Sequence, residues 1–226
     1  MNDVFALVVI PARGGSKGIP RKNLIDIGGK PLLAWSIESA IQLSLPNRVV
    51  VSTDDEEIGK ISRLLGANFL KRPEPLATDF SPTEETISHC LDTLSVDYSF
   101  SHIVLLQPTC PIRRPRMLDL AFDQLLSDGS DSLVGVIPES PFLWSGPISQ
   151  GTPKYDLAKR PMRQSFLEES INYRETGNIY ITSINAFKKS NIRVSGKTSL
   201  FILNNDESID IDTIDDAKRA SFILKR

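Results

Sequence analysis

The 226-residue sequence predicts a three-layer α/β fold in a single domain, with a mainly parallel sheet between helices. Two observations lead to this class: short apolar runs of strand length recur along the chain, and segments with helical periodicity separate them. Such strand–helix–strand repeats join parallel strands through right-handed crossovers. The composition permits the fold, since 40% of residues are hydrophobic. A chain of this size buries about 70% of its unfolded surface.

The predicted strands are continuous apolar runs, which is the pattern of strands buried on both faces. They cover Val4–Ile10, Arg48–Ser52, His102–Leu106, Ser132–Val136 and Asn178–Thr182.

The predicted helices place apolar residues on one face. The sets are Leu33, Ile37, Ala40 and Ile41; Ile58, Ile61 and Leu65; Ile87, Cys90, Leu91 and Leu94; and Leu118, Ala121, Phe122 and Leu125, with a last helix through Ala217 and Ala220. Ser81-Pro82-Thr83-Glu84 predicts a helix start, with Ser81 as N-cap and Pro82 as first helical residue. Asp54 or Asp55 can cap the helix before it.

The strand–helix alternation breaks between Pro138 and Tyr173, in a stretch rich in Pro, Gly and Ser. This stretch also carries Phe142, Leu143 and Trp144, which a solvated linker would not need. We therefore predict an excursion from the sheet at about 138–175, whose apolar residues pack either within the chain or against a second subunit.

The composition excludes several classes of protein. With 26 Lys+Arg against 28 Asp+Glu the net charge is −2, which argues against a general nucleic-acid binder. Two His and two Cys argue against a Cys/His zinc site and a disulfide framework. Cys90 and Cys110 are predicted to be reduced thiols, and His89 and His102 to be structural.

A cytoplasmic location is expected from the sequence. No apolar run reaches the roughly 18 residues of a membrane span. Asp3 stands where a signal peptide would be basic.

A cationic, glycine-rich segment, PARGGSKGIPRKN, follows the first predicted strand. Arg13, Lys17, Arg21 and Lys22 surround three glycines without an intervening acid. Glycines allow backbone N–H groups to approach an anion, and the cations supply opposing charge, so we expect a polyphosphate ligand. The order matches neither the P-loop nor the dinucleotide fingerprint. The alternative is a solvated basic turn.

Other candidate site residues follow later elements. Gln107 ends a buried strand, where its amide can bind a polar ligand or simply close a turn. Asp210 and Asp212 are two residues apart, so an extended backbone projects both to one face and the isoleucines to the other. Two such carboxylates suit Mg²⁺ bridging a phosphate, although Asp212 or Thr213 could instead cap the last helix. Arg163 and Arg174 can bind a carboxylate or serve as surface charges.

Taken together, the motifs resemble the acylneuraminate cytidylyltransferase family, which includes the CMP-sialic acid synthetases and the legionaminic and pseudaminic acid synthetases. The resemblance rests on the block from Ile10 to Asn23, then VSTDDEEI, RPEPLATD, QPTCPIR, TGNIYIT and IDIDT, in order along nearly the whole chain. It implies a Rossmann-like nucleotidyltransferase fold and a homodimer formed through the excursion. The implied reaction joins a nine-carbon 2-keto sugar acid to CTP with loss of pyrophosphate.

The resemblance also implies roles for individual residues. Arg13, Ser16, Lys17 and Lys22 would hold the triphosphate, with Lys17 and Lys22 stabilising charge in the transition state. Asn23, Arg72 and Thr83 would recognise cytidine, while Gln107, Arg163 and Arg174 would lie around the sugar acid. Asp210 and Asp212 would bind Mg²⁺, and Arg163 or Arg174 would serve a neighbouring subunit's site.

The sequence departs from the common family pattern at Ser81-Pro82-Thr83, at Cys110 and at Glu175-Thr176-Gly177-Asn178. These departures leave the sugar acid open. Alternatives are a Kdo-type acid, the use of GTP, and a non-catalytic nucleotide or sugar sensor.

Overall fold

A computed structural model of the chain describes residues 5–16, 18–140, 142–160 and 171–225. The strands are β1 (Ala6–Pro11), β2 (Asp26–Ile27), β3 (Lys30–Pro31), β4 (Asn47–Thr53), β5 (Asn68–Lys71), β6 (His102–Leu105), β7 (Ser132–Glu139), β8 (Trp144–Ser145), β9 (Thr152–Pro153), β10 (Asn172–Ser183) and β11 (Thr198–Ile202). The helices are α1 (Leu32–Ile41), α2 (Glu56–Leu64), α3 (Thr83–Leu94), α4 (Met117–Asp128), α5 (Ile184–Ser190) and α6 (Ile214–Leu224).

Helices cover both faces of a seven-stranded sheet, which confirms the three-layer α/β prediction. Alternate residues of β1 enter two separate apolar clusters. Val8 and Ile10 pack with residues of α1, α2 and α4, whereas Leu7 and Val9 pack with residues of α3 and α5. A third cluster joins α6 to the segment that contains Ile209 and Ile211.

The sheet has the strand order β11-β7-β10-β6-β1-β4-β5. The pairs β1·β4, β1·β6, β4·β5 and β7·β11 are parallel, whereas β10 is antiparallel to both β6 and β7. The predicted mainly parallel sheet is therefore confirmed. The antiparallel strand, β10, contains the run Asn178–Thr182 and follows the stretch predicted as an excursion.

Within the seven-stranded sheet, the apolar-run pattern missed the two edge strands, β5 and β11. It also missed the two-residue strands β2, β3, β8 and β9. In β11 exposed and buried residues alternate, and β5 is only four residues long with a mostly half-buried pattern. An edge strand needs no continuous apolar run, so the signal used for central strands does not detect it. Helix α5 was also missed, since its seven residues give too short a periodic pattern.

The helix starts partly follow the sequence. The carboxylate of Asp55 caps α2 by accepting from the main-chain N–H groups of Glu57 (2.8 Å) and Ile58 (3.0 Å), as predicted. The prediction for α3 is wrong: the helix begins at Thr83, Pro82 is its N-cap residue, and Ser81 does not cap it. The Ser81 hydroxyl instead donates to the Pro75 carbonyl at 2.9 Å, within the loop before the helix.

The described part of the excursion forms the ribbon of β8 and β9. Phe142 packs edge-on against Tyr155, with ring centroids 5.2 Å apart, and the Arg160 guanidinium lies over the Phe142 ring. Trp144 nevertheless stays 56% exposed. The excursion therefore packs partly on itself and also leaves apolar surface outside.

Cys90 and Cys110 are buried free thiols, as predicted. Burial raises the pKa of each thiol to about 12, so both stay protonated near neutral pH. Burial also lowers the pKa of His89 and His102. In the part of the chain that the structure describes, no helix has the length and apolar character to cross a membrane.

Candidate active site

The segments that follow β1, β5 and β6 open into one cavity of about 460 Å³. Ligands of open α/β sheets bind at this carboxyl edge. Nine residues singled out from the sequence line the cavity: Arg13, Ser16, Lys22, Asn23, Arg72, Thr83, Gln107, Asp210 and Asp212. The structure thus brings together residues from both ends of the chain.

The glycine-rich segment after β1 is held in place by main-chain contacts. The Asn23 amide donates to the Arg13 carbonyl at 3.0 Å, and the Gly14 N–H donates to the Asp54 carboxylate at 2.9 Å. A Cβ atom on Gly18 would lie 2.9 Å from the Asp212 carbonyl oxygen. Only glycine therefore allows this loop to lie directly against the Asp210–Asp212 segment.

Acidic partners from distant parts of the chain neutralise the described cations of this loop. Arg13 pairs with Asp79 at 2.5 Å, and Lys22 pairs with Asp212 at 3.0 Å while also donating to the Ile211 carbonyl. Arg21 turns away from the cavity and pairs with Glu57 at 2.8 Å. The loop lacks acids in its own sequence, yet the folded protein balances its charge locally.

Arg72 is a buried guanidinium at the wall of the cavity. Only 6% of the residue is exposed, and it donates to the carbonyl (2.5 Å) and hydroxyl (3.1 Å) oxygens of Ser52. Burial lowers its pKa. Because it is held in a fixed direction beside Thr83 and Thr86, it can donate to the oxygen or ring nitrogen of a neutral nucleobase.

Gln107 lies at the end of β6, where its side chain packs against the backbone of Gly177. A Cβ atom on Gly177 would lie 1.9 Å from Gln107 Oε1, so glycine is required at this contact. The turn after Gln107 is held by Arg113, which donates to the carbonyls of Gln107 (3.3 Å) and Asn178 (2.8 Å). Burial lowers the pKa of Arg113 to about 10, which still leaves it cationic at neutral pH.

Asp210 and Asp212 project from one side of an extended segment, as their spacing predicted. Both are exposed to the cavity, whereas Ile209 and Ile211 are buried in the third apolar cluster. Helix α6 is capped by Thr213, whose hydroxyl accepts from the Asp216 N–H at 3.2 Å. The two carboxylates are therefore not needed as helix caps, and they remain available to a ligand.

Three residues predicted for the site are not among the described residues that line the cavity. Arg174 lies on β10, does not line the cavity, and pairs with Glu139 at 2.9 Å. Lys17 and Arg163 lie outside the residues that the structure describes.

Sequence reasoning gave no site role to Thr78, Asp79, Ser81 or Thr86, which also line the cavity. Asp79 ends the RPEPLATD motif, so that motif was the available signal for it. Its ion pair with Arg13 joins residues 66 positions apart, and only the fold reveals it.

Comparisons with known proteins point to one family of enzymes. The model of a family described as cytidylyltransferase matches residues 7–178. The chain is 29% identical to a pseudaminic acid cytidylyltransferase from Campylobacter jejuni, over 97% of this chain and 96% of that one. It is 37% identical to a CMP-N,N'-diacetyllegionaminic acid synthase from Legionella pneumophila, over 92% and 90%.

A similar fold occurs in a solved structure of CMP:2-keto-3-deoxy-manno-octonic acid synthetase complexed with CTP. The TM-score is 0.70, the identity is 17%, and the match covers 97% of this chain and 98% of that one.

Proposed function

This chain belongs to the cytidylyltransferase family, and we propose that it transfers the cytidylyl group of CTP to a nine-carbon 2-keto sugar acid. The products are a CMP-sugar and pyrophosphate. The observation that carries the proposal is the single cavity in which a cationic glycine loop, the buried Arg72 and the Asp210–Asp212 pair lie together.

In the proposed reaction the anomeric hydroxyl oxygen of the sugar acid bonds to the α-phosphorus of CTP. The bond from that phosphorus to the bridging oxygen breaks, pyrophosphate leaves, and the hydroxyl proton is released. Arg13 and Lys22 bind the phosphates and offset the charge that develops on them. To do so they exchange their carboxylate partners, Asp79 and Asp212, for phosphate oxygens. Catalysis then comes from positioning and electrostatics, without a covalent enzyme intermediate.

The remaining roles follow the family resemblance, and the presence of these side chains in the cavity wall supports them. Asn23, Arg72 and Thr83 are proposed to recognise cytidine, and Ser16 to bind the triphosphate. Gln107 is proposed to contact the sugar acid. Lys17 keeps its expected role at the triphosphate, outside the described residues.

Asp210 and Asp212 fit a magnesium ion. They present hard oxygen ligands to the cavity, and the Asp212 side chain remains 75% exposed although one oxygen accepts from Lys22. Among the described residues no third acidic or His/Cys ligand joins them. Phosphate and water oxygens would therefore complete the coordination shell. Bound there, Mg²⁺ would supply positive charge to the phosphates.

A homodimer and a cytoplasmic location complete the proposal. The excursion leaves Trp144 and Ile148 exposed, which supports a subunit contact. Arg174 lies outside this cavity, so we propose that Arg174 and Arg163 serve the site of a partner subunit.

Pyrophosphate release tests the activity and identifies the sugar. We expect release when the protein is incubated with CTP, Mg²⁺ and one member of a panel of nine-carbon acids: sialic, legionaminic and pseudaminic acid. Kdo and GTP serve as the competing substrates. Release that needs GTP in place of CTP, or Kdo in place of the nine-carbon acids, would contradict the proposed substrates. No release with any combination would favour a nucleotide or sugar sensor.

The metal role predicts the effect of Asp212→Asn. The amide keeps the size of the side chain but removes the charge, so turnover should fall about a hundredfold, a typical cost of lost electrostatic stabilisation. Asp215→Asn is the matched control, because Asp215 is 89% exposed and pairs only with Lys218 among the ion pairs seen. Full Mg²⁺-dependent turnover by Asp212→Asn would contradict the assignment.

A further inference from the structure

We infer that Glu207 is a positioning residue: its buried carboxylate fixes the segment that carries Asp210 and Asp212 before any ligand binds. The inference rests on the proposed metal role of those two aspartates. Glu207 does not line the cavity, and it acts through the backbone that leads to it.

The Glu207 carboxylate is held by three donors although its side chain is only 1% exposed. Its Oε2 accepts from the Arg114 guanidinium at 2.6 Å and from the Asn204 N–H at 2.9 Å. Its Oε1 accepts from the Arg114 N–H at 3.2 Å. The Asn204 side chain in turn accepts from the Glu207 N–H at 3.0 Å. Hydrogen bonds between Asn204 and Glu207 thus close a turn at residues 204–207, and Arg114, which precedes α4, anchors this turn.

Main-chain atoms of the same segment are tied to the turn that follows Gln107. The Asn178 amide donates to the Glu207 carbonyl at 2.7 Å and to the Ile112 carbonyl at 2.9 Å. Further along, the Ile211 N–H donates to the Thr109 carbonyl at 2.8 Å. The Gln107 turn and the aspartate segment therefore form one unit, joined at both ends.

An ion pair with a buried carboxylate adds little stability by itself, since desolvation of the carboxylate offsets much of the attraction. The three hydrogen bonds to the Glu207 carboxylate do, however, fix the position of the turn that carries it. Asp210 and Asp212 carry like charges, of which Lys22 offsets that of Asp212, and an unanchored segment would be free to change the spacing of the two carboxylates when no metal is bound. The Glu207 anchor opposes this movement, in the same way that groups behind metal ligands orient them.

The test is the variant Glu207→Gln in the full chain, compared with Asp206→Asn. Asp206 is the exposed acidic neighbour in the same turn, so its change controls for lost charge. Two quantities are measured: the Mg²⁺ concentration at half-maximal turnover, and the affinity of the enzyme–CTP complex for Mn²⁺ by calorimetry without sugar acid. For Glu207→Gln the Mg²⁺ concentration at half-maximal turnover should rise about tenfold, and the affinity for Mn²⁺ should fall about tenfold. This is the low end of the effect of residues that hold metal ligands in place. At saturating Mg²⁺ the kcat should recover to near the wild-type value.

Arg114→Gln provides a second route, since it releases Glu207 without changing the segment 204–212. It should shift the metal affinity in the same direction, and the double variant should be little worse than either single one, because both remove one interaction. A loss of thermal stability with unchanged Mn²⁺ affinity, in whichever of the two variants folds, would overturn the inference. Failure of the proposed function is seen separately, as absence of pyrophosphate release by the wild-type protein.

Discussion

Gln107 reaches the cavity because position 177 has no side chain. A Cβ atom on Gly177 would overlap Gln107 Oε1 and lie 3.2 Å from Cys110 Sγ, so the methyl group of alanine has no free space. We expect Gly177→Ala to displace the Gln107 amide. A displacement of about 1 Å at such a residue lowers kcat/KM about a hundredfold. The measurement is kcat/KM for the sugar acid at saturating CTP.

Thr176→Ser is the control for this change. It alters the adjacent residue but keeps the hydroxyl that donates to the Gly135 carbonyl at 3.0 Å, and it places no atom near Gln107. Unchanged kcat/KM in Gly177→Ala would show that the Gln107 side chain does not contribute to substrate binding.

Individual residues were predictable from sequence when their signal was local. The cationic loop and the Asp210–Asp212 spacing are such signals, and both reach the cavity. Their partners were not predictable. Arg13 forms an ion pair with Asp79, and Lys22 forms one with Asp212, which is 190 positions away along the chain. No short-range pattern encodes such a pair, because it exists only once the sheet has brought the two segments together.

At the level of elements, β10 combines a regular strand with a bulge. Between Glu175 and Tyr180 the strand advances five residues while its partner β7 moves from Val136 to Val134. The additional residues leave the ladder, which allows Gly177 to contact Gln107 and Asn178 to bond two separate segments. The sequence predicted a strand only from Asn178 onward, since the polar residues before it carry no strand signal.

Helix α6 begins with a reciprocal capping box, in which Thr213 and Asp216 satisfy each other's main-chain N–H groups. Removing the hydroxyl in Thr213→Ala should lower the free energy of unfolding by about 1 kcal/mol. Urea denaturation measures this value. Thr213→Ser keeps the hydroxyl and should stay close to wild type, so equal losses in both variants would show that the cap hydrogen bond is not the cause.

At the scale of the whole molecule, the exposed apolar surface of the excursion predicts self-association. Leu143, Trp144, Ile148 and Leu157 are between 40% and fully exposed, and they are close in sequence. We expect sedimentation velocity at micromolar concentration to show a species of twice the 25.1 kDa chain mass. A monomer at that concentration would contradict the prediction.

Charge placed on this surface should separate the subunits. Trp144→Asp combined with Ile148→Asp is expected to give a monomer, because burying the new carboxylates in the interface is costly. Leu64→Asp is the control, since Leu64 is 77% exposed on α2, outside the excursion. Dissociation caused by Leu64→Asp would locate the contact elsewhere.

The fold class was predictable as a whole because buried central strands and amphipathic helices leave strong periodic signals. The strand order was not. The antiparallel direction of β10 left no signal in its apolar run, and the two edge strands have too few buried residues to give a continuous run. The composition predicted a break at about 138–175, and the antiparallel direction of the strand that follows is visible only in three dimensions.

The ion pair between Lys22 and Asp212 has a consequence for protein synthesis. Its two members are separated by 190 positions, so a ribosome completes the glycine-rich segment long before it makes the two aspartates. A nascent chain that ends before Ile209 lacks both the counter-charge of Lys22 and the proposed metal ligands. The candidate site is therefore complete only once residue 212 has been made, and we expect a chain truncated before Ile209 to be inactive even if most of its sheet has formed.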